Sequence, residues 1–383
     1  MCKKFSVILF FLFLLGVGAL ETFLPDTEIS ASERRRLAKA PVLSSDTLLS
    51  GDYMADMETY LLDQFPGRNL FRCLKANFDL KILQKEDTDG YYLAENSIYK
   101  RPASLKENNI LLCMDYFDRI MQTYFPETQG YYIAVPEKSY YAALSDKNTS
   151  LTARDILSKQ EHALSLLRDS SLVEIDLYSQ LSVSDFYRTD SHWRQECLLD
   201  AAGYILAGLS KKQEGNVRGN DSSYQEVLLS DKFYGGLSAA SGLKPVPDKL
   251  VTLTNEKIEA ATVYDYESKK SFSVYQPEKL SSPDPYDIYL GGAKALLELR
   301  VPQPQNGREL VLFRDSFGSS MAPLLLEEYD VIYVVDLRYI TATGAMRYIT
   351  PASDCDVLFL YSTATLSGGG IRLESLDGQS PIK

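Results

Sequence analysis

Histidine is nearly absent from this chain: two occur in 383 residues, His162 and His192, and the single tryptophan, Trp193, directly follows the second. A zinc centre built on two or three histidines is thereby all but excluded, and any chemistry that needs an imidazole base has two candidates. Five cysteines (Cys2, Cys73, Cys113, Cys197 and Cys355) stand far apart with no C-x-x-C pair, which removes thiolate metal patterns and a dense disulfide framework. Free thiols packed as small hydrophobes are expected instead. Positive charge is short as well. Lys and Arg number 40 against 52 Asp and Glu, a net charge of −12, the opposite of the basic face that a nucleic-acid partner requires. The run Gly368-Gly369-Gly370 lacks the Lys-Ser/Thr of a phosphate loop, so neither cofactor nor metal is expected. Beyond the first 24 residues no apolar run approaches membrane-spanning length.

What is present begins with a targeting pattern. Lys3 and Lys4 precede an uncharged run from Phe5 to Leu20, which Glu21 interrupts. Residues 1–24 are expected to form an uncleaved signal-anchor, with a cleaved signal peptide as the alternative. This implies an extracytoplasmic protein anchored in the cytoplasmic membrane by its N-terminus, or secreted if the segment is cleaved. Residues 25–50 are polar and charged, a linker. Residues 51–105 carry helical spacing at 52–64 and 69–84 and a small hairpin at 90–99, an N-terminal helical extension expected to pack on the main domain.

From 106 to 383 short apolar runs alternate with helical patterns. After a helix at 107–125, strands are expected at 131–135, 172–175, 310–313, 331–335 and 357–361, and helices at 152–167, 194–209 and 317–328. Continuous apolar strands separated by helices argue for a parallel sheet covered on both faces, with the ligand site at the carboxyl ends of the strands. Residues 214–285 break the alternation and read as an insertion carrying antiparallel hairpins.

Two segments carry chemistry. In Arg314-Asp315-Ser316-Phe317 a buried strand turns sharply into a helix, which places Ser316 at the sheet edge with amides able to stabilise an oxyanion. Spacing alone leaves open that Asp315 or Ser316 merely caps the helix. In Thr189-Asp190-Ser191-His192-Trp193 an extended backbone sends Asp190 and His192 to the same side, as a base histidine and its orienting carboxylate require. The competing reading makes Asp190 the cap of a helix beginning near Trp193. His162 sits mid-helix among polar residues and is expected to be solvated.

Taken together, these segments resemble the DHHW family of SGNH-hydrolase-like proteins, and the alginate-acetylation proteins of bacterial envelopes. Asp190-Ser191-His192-Trp193 is similar to the family's Asp-x-His-Trp signature, with Ser191 in place of its first histidine. Glu33-Arg34-Arg35-Arg36-Leu37-Ala38, Asp63-Gln64-Phe65-Pro66-Gly67-Arg68, Tyr132-Ile133-Ala134-Val135-Pro136-Glu137-Lys138, the Asp315-Ser316 turn and Val335-Asp336-Leu337-Arg338-Tyr339 resemble further blocks in the same order. The resemblance implies an α/β, SGNH-hydrolase-like (flavodoxin-like) fold in which Ser316 is the nucleophile, His192 the base and Asp190 its partner. Gly291-Gly292 is followed by Ala293 where the family's asparagine is expected, so the oxyanion hole would be weaker or built from the amides of Ser316 and a glycine.

Lower-ranked site residues follow. Lys138 and Arg338 each leave a strand end, to bind an anionic sugar or polarise a carbonyl, or else to pair with a carboxylate. Trp193 is expected to wall the imidazole. Tyr361 either lines the site or closes the core. The implied activity is acyl transfer, O-acetylation or deacetylation of a cell-envelope or exported polysaccharide, with a membrane acyl-donor protein as a possible partner. The alternative is a non-catalytic envelope protein that binds glycan or serves as a scaffold on the same fold.

Overall fold

The computed structural model describes residues 2–30, 32–33, 35–146, 151–168, 170–210 and 223–376. Arg34 and residues 214–222 of the expected insertion lie outside them. The chain divides into two compact units, Met1–Tyr92 with Gly236–Lys244, and Leu93–Gly235 with Pro245–Lys383.

In the first unit the helix Cys2–Phe23 is followed by the two-residue strands β1 (Ile29–Ser30) and β2 (Arg35–Arg36) and then by the helices Ser45–Ser50, Asp52–Gln64 and Arg68–Asn77. The uncharged stretch from Phe5 to Leu20 in the first helix is 16 residues, about 24 Å at about 1.5 Å per residue, against a hydrocarbon core of about 30 Å. Among the described residues no helix is long and apolar enough to cross a membrane. The expected signal-anchor, the membrane as a partner through the N-terminal segment, and the membrane-anchored location are corrected on that finding.

The two N-terminal sequence blocks meet in a lattice of ion pairs. Arg35 grips Asp63 with both terminal nitrogens, at 2.8 and 2.5 Å, and the Ala38 amide adds a third bond at 2.9 Å. Glu33 takes Arg68 and Arg72.

The second unit is built on an eight-stranded sheet. In chain order the strands after β2 are β3 (Tyr91–Ala94), β4 (Ser97–Lys100), β5 (Gly130–Val135), β6 (Val173–Glu174), β7 (Gln225–Phe233), β8 (Asp248–Thr254), β9 (Thr262–Asp265), β10 (Lys270–Ser273), β11 (Leu296–Arg300), β12 (Glu309–Arg314), β13 (Val331–Val335) and β14 (Asp356–Ser362). The sheet order is β10-β9-β11-β13-β12-β14-β5-β6. All pairs from β13 to β6 are parallel, and those from β10 to β13 antiparallel.

Successive strand residues face opposite sides of a sheet, and both sides are buried here. Leu310, Leu312, Ile332, Val334, Leu358 and Leu360 pack into one core with the helices Leu199–Leu209 and Phe317–Leu325. Val311, Phe313, Tyr333, Val335, Phe359 and Tyr361 pack into another with the helix Glu107–Tyr124. This double burial is why the strands read as uninterrupted apolar runs.

The antiparallel part departs from expectation. β9 and β10 do form a hairpin, but β11 carries it onto the main sheet, extending the parallel layer. β8 pairs instead with β7 in a separate two-stranded ribbon. Polar, largely exposed Gln225–Phe233 gives no apolar alternation by which to read it as a strand.

Asp63 provides a test of the first unit. Hydrogen bonds from Arg35 hold its carboxyl down to about 2, below the ordinary 3.8, with the Ala38 amide acting in the same direction against the cost of burial. A depressed carboxylate contributes stability that is complete above its unfolded value and is lost as pH falls through the folded one. The advantage of the wild type over Asp63→Asn in urea unfolding is therefore expected to be constant above about pH 5 and to vanish toward pH 2.

Candidate active site

At the carboxyl edge of the sheet β12 ends in Arg314, and the turn Asp315-Ser316 feeds the helix Phe317–Leu325. Asp315 is the anchor of this turn. One carboxylate oxygen accepts the Phe317 amide at 3.1 Å, and the other accepts the Ser362 amide at 2.9 Å, the Ser362 hydroxyl at 2.8 Å and the Thr365 hydroxyl at 2.7 Å. Ser316 occupies the N-cap position, yet its side chain makes no cap bond. Arg314 and Asp315 before it and Phe317 after it are buried, whereas Ser316 is partly exposed.

The Asp190–His192 segment is not a helix start. Residues 186–193 form a tight loop whose ends bridge, Phe186 to Trp193, with the Tyr187 amide donating to His192 O at 3.1 Å. The helix begins only at Leu199, after a short turn at Gln195–Cys197. Gln195 breaks the expected continuity: its buried side chain donates to Ser320 O at 2.8 Å and accepts the Leu253 amide at 2.8 Å. At the loop tip Asp190 Oδ1 accepts the His192 amide at 2.9 Å, an Asx-type turn, and lies 2.6 Å from His192 Nδ1. His192 Nε2 lies 2.7 Å from Ser316 Oγ. Asp190, His192 and Ser316 are thus joined in one hydrogen-bonded chain across 124 residues of sequence. A carboxylate beside Nδ1 assigns the proton there, leaving Nε2 to accept from the serine hydroxyl.

The loop is held from below. Asp248, at the start of β8, accepts the Arg188 amide at 2.9 Å, the Thr189 amide at 2.8 Å and the Thr189 hydroxyl at 2.6 Å. The Gly235 amide donates to Thr189 Oγ1 at 2.9 Å, and a Cβ at Gly235 would overlap the Asp190 carboxylate. Sequence reading missed Asp248, because its partners lie about 60 positions away and nothing local marks it.

The lower-ranked residues find other places. Lys138 is buried, its ammonium donating to Ile98 O and Arg188 O, both at 2.9 Å, and lying over the Tyr99 ring. Burial pushes it down to about 7, against the pull of Asp248 and Asp190. It braces the loop from the side away from solvent, which corrects its expected role toward substrate. Arg338 is fastened to Asp336 by two bonds, at 2.9 and 2.7 Å, so the salt-bridge reading prevails over the ligand-holding one. Trp193 is fully buried and donates to Ser320 Oγ at 2.8 Å. It does not wall the imidazole: Tyr286 does, stacked on His192 at 4.0 Å and 12°, with Phe317 tilted at 4.9 Å. Tyr361 is a core residue stacked on Phe117. Gly291 and Gly292 both adopt left-handed backbone, and the Gly292 amide is spent on Tyr289 O at 3.2 Å; their close neighbours are Phe272, Gln276 and Asp287, which corrects the expected oxyanion role of Gly292. His162 reaches Glu107 at 3.0 Å on the surface. Among the described residues no group of three His, Cys, Asp or Glu is arranged to hold a metal ion.

No family model matches the chain, and no curated protein matches it in sequence. Solved structures do. A DHHW family protein from Eubacterium siraeum superposes with a TM-score of 0.57 at 19% identity, over 74% of this chain and 95% of that one. Bacillus cereus PatB1 gives 0.55 at 19%, over 74% and 99%, and its structure with a sulfonyl adduct gives 0.55 at 19%, over 73% and 96%. The chain is similar to these proteins in fold, as the sequence resemblance implies.

The contrast between Asp315 and Ser316 is measurable. Asp315→Ala strips the acceptor from four donors and is expected to cost about 3 kcal/mol or more in denaturant unfolding. Ser316→Ala is expected to cost less than about 0.5 kcal/mol, whereas loss of a true cap would cost about 1 kcal/mol.

Proposed function

We propose that the chain is a serine-dependent acyl-transfer enzyme, an O-acetyltransferase or acetylesterase acting on a cell-envelope or exported polysaccharide. The observation that carries this reading is the unbroken chain Ser316 Oγ–His192 Nε2, His192 Nδ1–Asp190 Oδ1, at 2.7 and 2.6 Å, on a partly exposed serine. The polysaccharide rests on the sequence resemblance alone.

In the first half-reaction Ser316 Oγ forms a bond to the acyl carbonyl carbon as its proton passes to His192 Nε2. Asp190, dehydrated and aimed at Nδ1, stabilises the imidazolium that results. The carbonyl oxygen becomes an oxyanion. Its expected donor is the Ser316 amide, which has no partner among the described residues; those of Phe317 and Gly318 are taken by Asp315. Collapse breaks the bond to the leaving oxygen, which takes the proton from His192. In the second half-reaction an acceptor hydroxyl gives its proton to His192 and attacks the acyl carbon. A sugar makes the enzyme a transferase and water an esterase, and Ser316 Oγ recovers the proton as it departs.

The test is release of 4-nitrophenolate from 4-nitrophenyl acetate by the purified full chain. Turnover is expected, falling to the buffer rate in Ser316→Ala and by about 10²–10⁴-fold in His192→Ala. Turnover unchanged in Ser316→Ala refutes the reading. Retention of acetylated polysaccharide without any turnover returns the protein to the glycan-binding class.

A further inference from the structure

The segment between β10 and β11 reaches the Ser–His–Asp chain through one residue. Asp284 Oδ1 accepts the Tyr286 amide at 3.0 Å, capping the short turn Pro285–Ile288. That turn presents the Tyr286 ring flat against His192, 4.0 Å between centroids and 12° from parallel. The phenol is buried, and loss of solvent pushes its ionisation well above the ordinary 10.0, so it is a neutral donor. It donates to Ser320 Oγ at 2.9 Å.

Ser320 accounts for all of its bonding capacity. Its two lone pairs accept Tyr286 Oη–H and Trp193 Nε1–H, and its own proton faces Phe317 O at 3.4 Å. Ser320 lies one helical turn beyond Ser316, and Trp193 adjoins His192. The contacts therefore close a ring: His192 to Ser316, along the helix to Ser320, across to Tyr286 and back to His192.

We infer that Tyr286 is a positioning residue: its ring, held by the capped turn Pro285–Ile288 and further tied to Ser320, clamps one face of the His192 imidazole so that Nε2 stays on Ser316 Oγ while Nδ1 stays on Asp190. Hydrogen bonds at the two nitrogens fix directions within the imidazole plane but resist rotation of the plane about the Cβ–Cγ bond only weakly. A flat aromatic neighbour on one side and tilted Phe317 at 4.9 Å close that freedom. Stacking of this kind stabilises beyond what area burial alone supplies, and an electron-rich face also favours the cation formed when His192 takes the serine proton. The clamp gives the connection between β10 and β11 a part in the reaction, and its effect on rate rests on the acyl-transfer reading above.

Two measurements separate the two claims. Having only two histidines, the chain gives a simple ¹⁵N-imidazole spectrum in which His162→Gln assigns His192. The wild type and Tyr286→Phe are expected to hold His192 as the single Nδ1–H tautomer, while Tyr286→Leu and Tyr286→Ala move its signals toward the two-tautomer average. With 4-nitrophenyl acetate, Tyr286→Leu is expected to lose about 10- to 100-fold in kcat at little change in KM, and Tyr286→Phe less than about 3-fold. The leucine variant keeps apolar volume and serves if the alanine variant does not fold. Unaltered His192 signals in a folded Tyr286→Leu protein overturn the clamp, as does a Tyr286→Phe loss equal to that of leucine, which would assign the effect to the hydroxyl. If the wild type has no turnover, the acyl-transfer reading fails while the tautomer measurement still decides the clamp.

Discussion

Asp190 Oδ1 is the point on which the candidate site turns. One oxygen accepts both the amide and the ring Nδ1–H of the same histidine, at 2.9 and 2.6 Å, which ties the loop backbone to the Nδ1 edge of the imidazole. A carboxylate almost fully withdrawn from water is costly unless its hydrogen bonds are complete, so the neighbourhood is organised around keeping it satisfied. Asp248 and Lys138 hold the two peptide groups just before it, and Gly235 leaves room for its side chain. The sheet contributes the other half. Double burial of β12 forces an extended, apolar strand to stop at the core boundary, and Asp315 ties the next turn to β14 so that Ser316 emerges at that boundary.

The parallel half of the fold was legible because burial on two faces leaves a signature within four to six consecutive residues: every position is apolar. β5, β12, β13 and β14 all carry it. β11 and β7 do not, since each has a polar or solvent-facing side, and their places depend on pairing partners rather than on composition. Helix starts were legible where an apolar stripe at helical spacing begins, as at Asp52 and Glu107, and illegible at 194–198. There Gln195 gives its side chain to Ser320, Leu253 and Tyr275, and the backbone takes a tighter turn instead of continuing the helical pattern upstream.

The same division runs through the site. Asp190 and His192 are two residues apart, so local geometry alone suggested their side chains converge, and the scarcity of histidine narrowed the base to one residue. Tyr286, Asp248 and Ser320 act through contacts formed only when distant segments fold together, and no spacing rule points to them. Charge was the poorest guide. Arg338 and Lys138, chosen for their places after strands, are consumed by Asp336 and by two carbonyls, because a cation in so much buried surface must find acceptors at once. The N-terminal helix is a related case: its apolar character was evident, but the charges at both ends limit the length of its uncharged stretch.

The central claim is that Ser316 Oγ is a nucleophile activated by His192. Phenylmethylsulfonyl fluoride addresses it without knowledge of the natural substrate, since attack forms one oxygen–sulfur bond, expels fluoride and passes the hydroxyl proton to the imidazole. Intact-mass and peptide spectra of the treated full chain are the direct measurement. A single sulfonyl adduct on the peptide containing Ser316, absent in Ser316→Ala and much slower to form in His192→Ala, is the expected result. A folded protein that takes up no adduct, or carries it on another residue with Ser316 unmodified, would contradict the account.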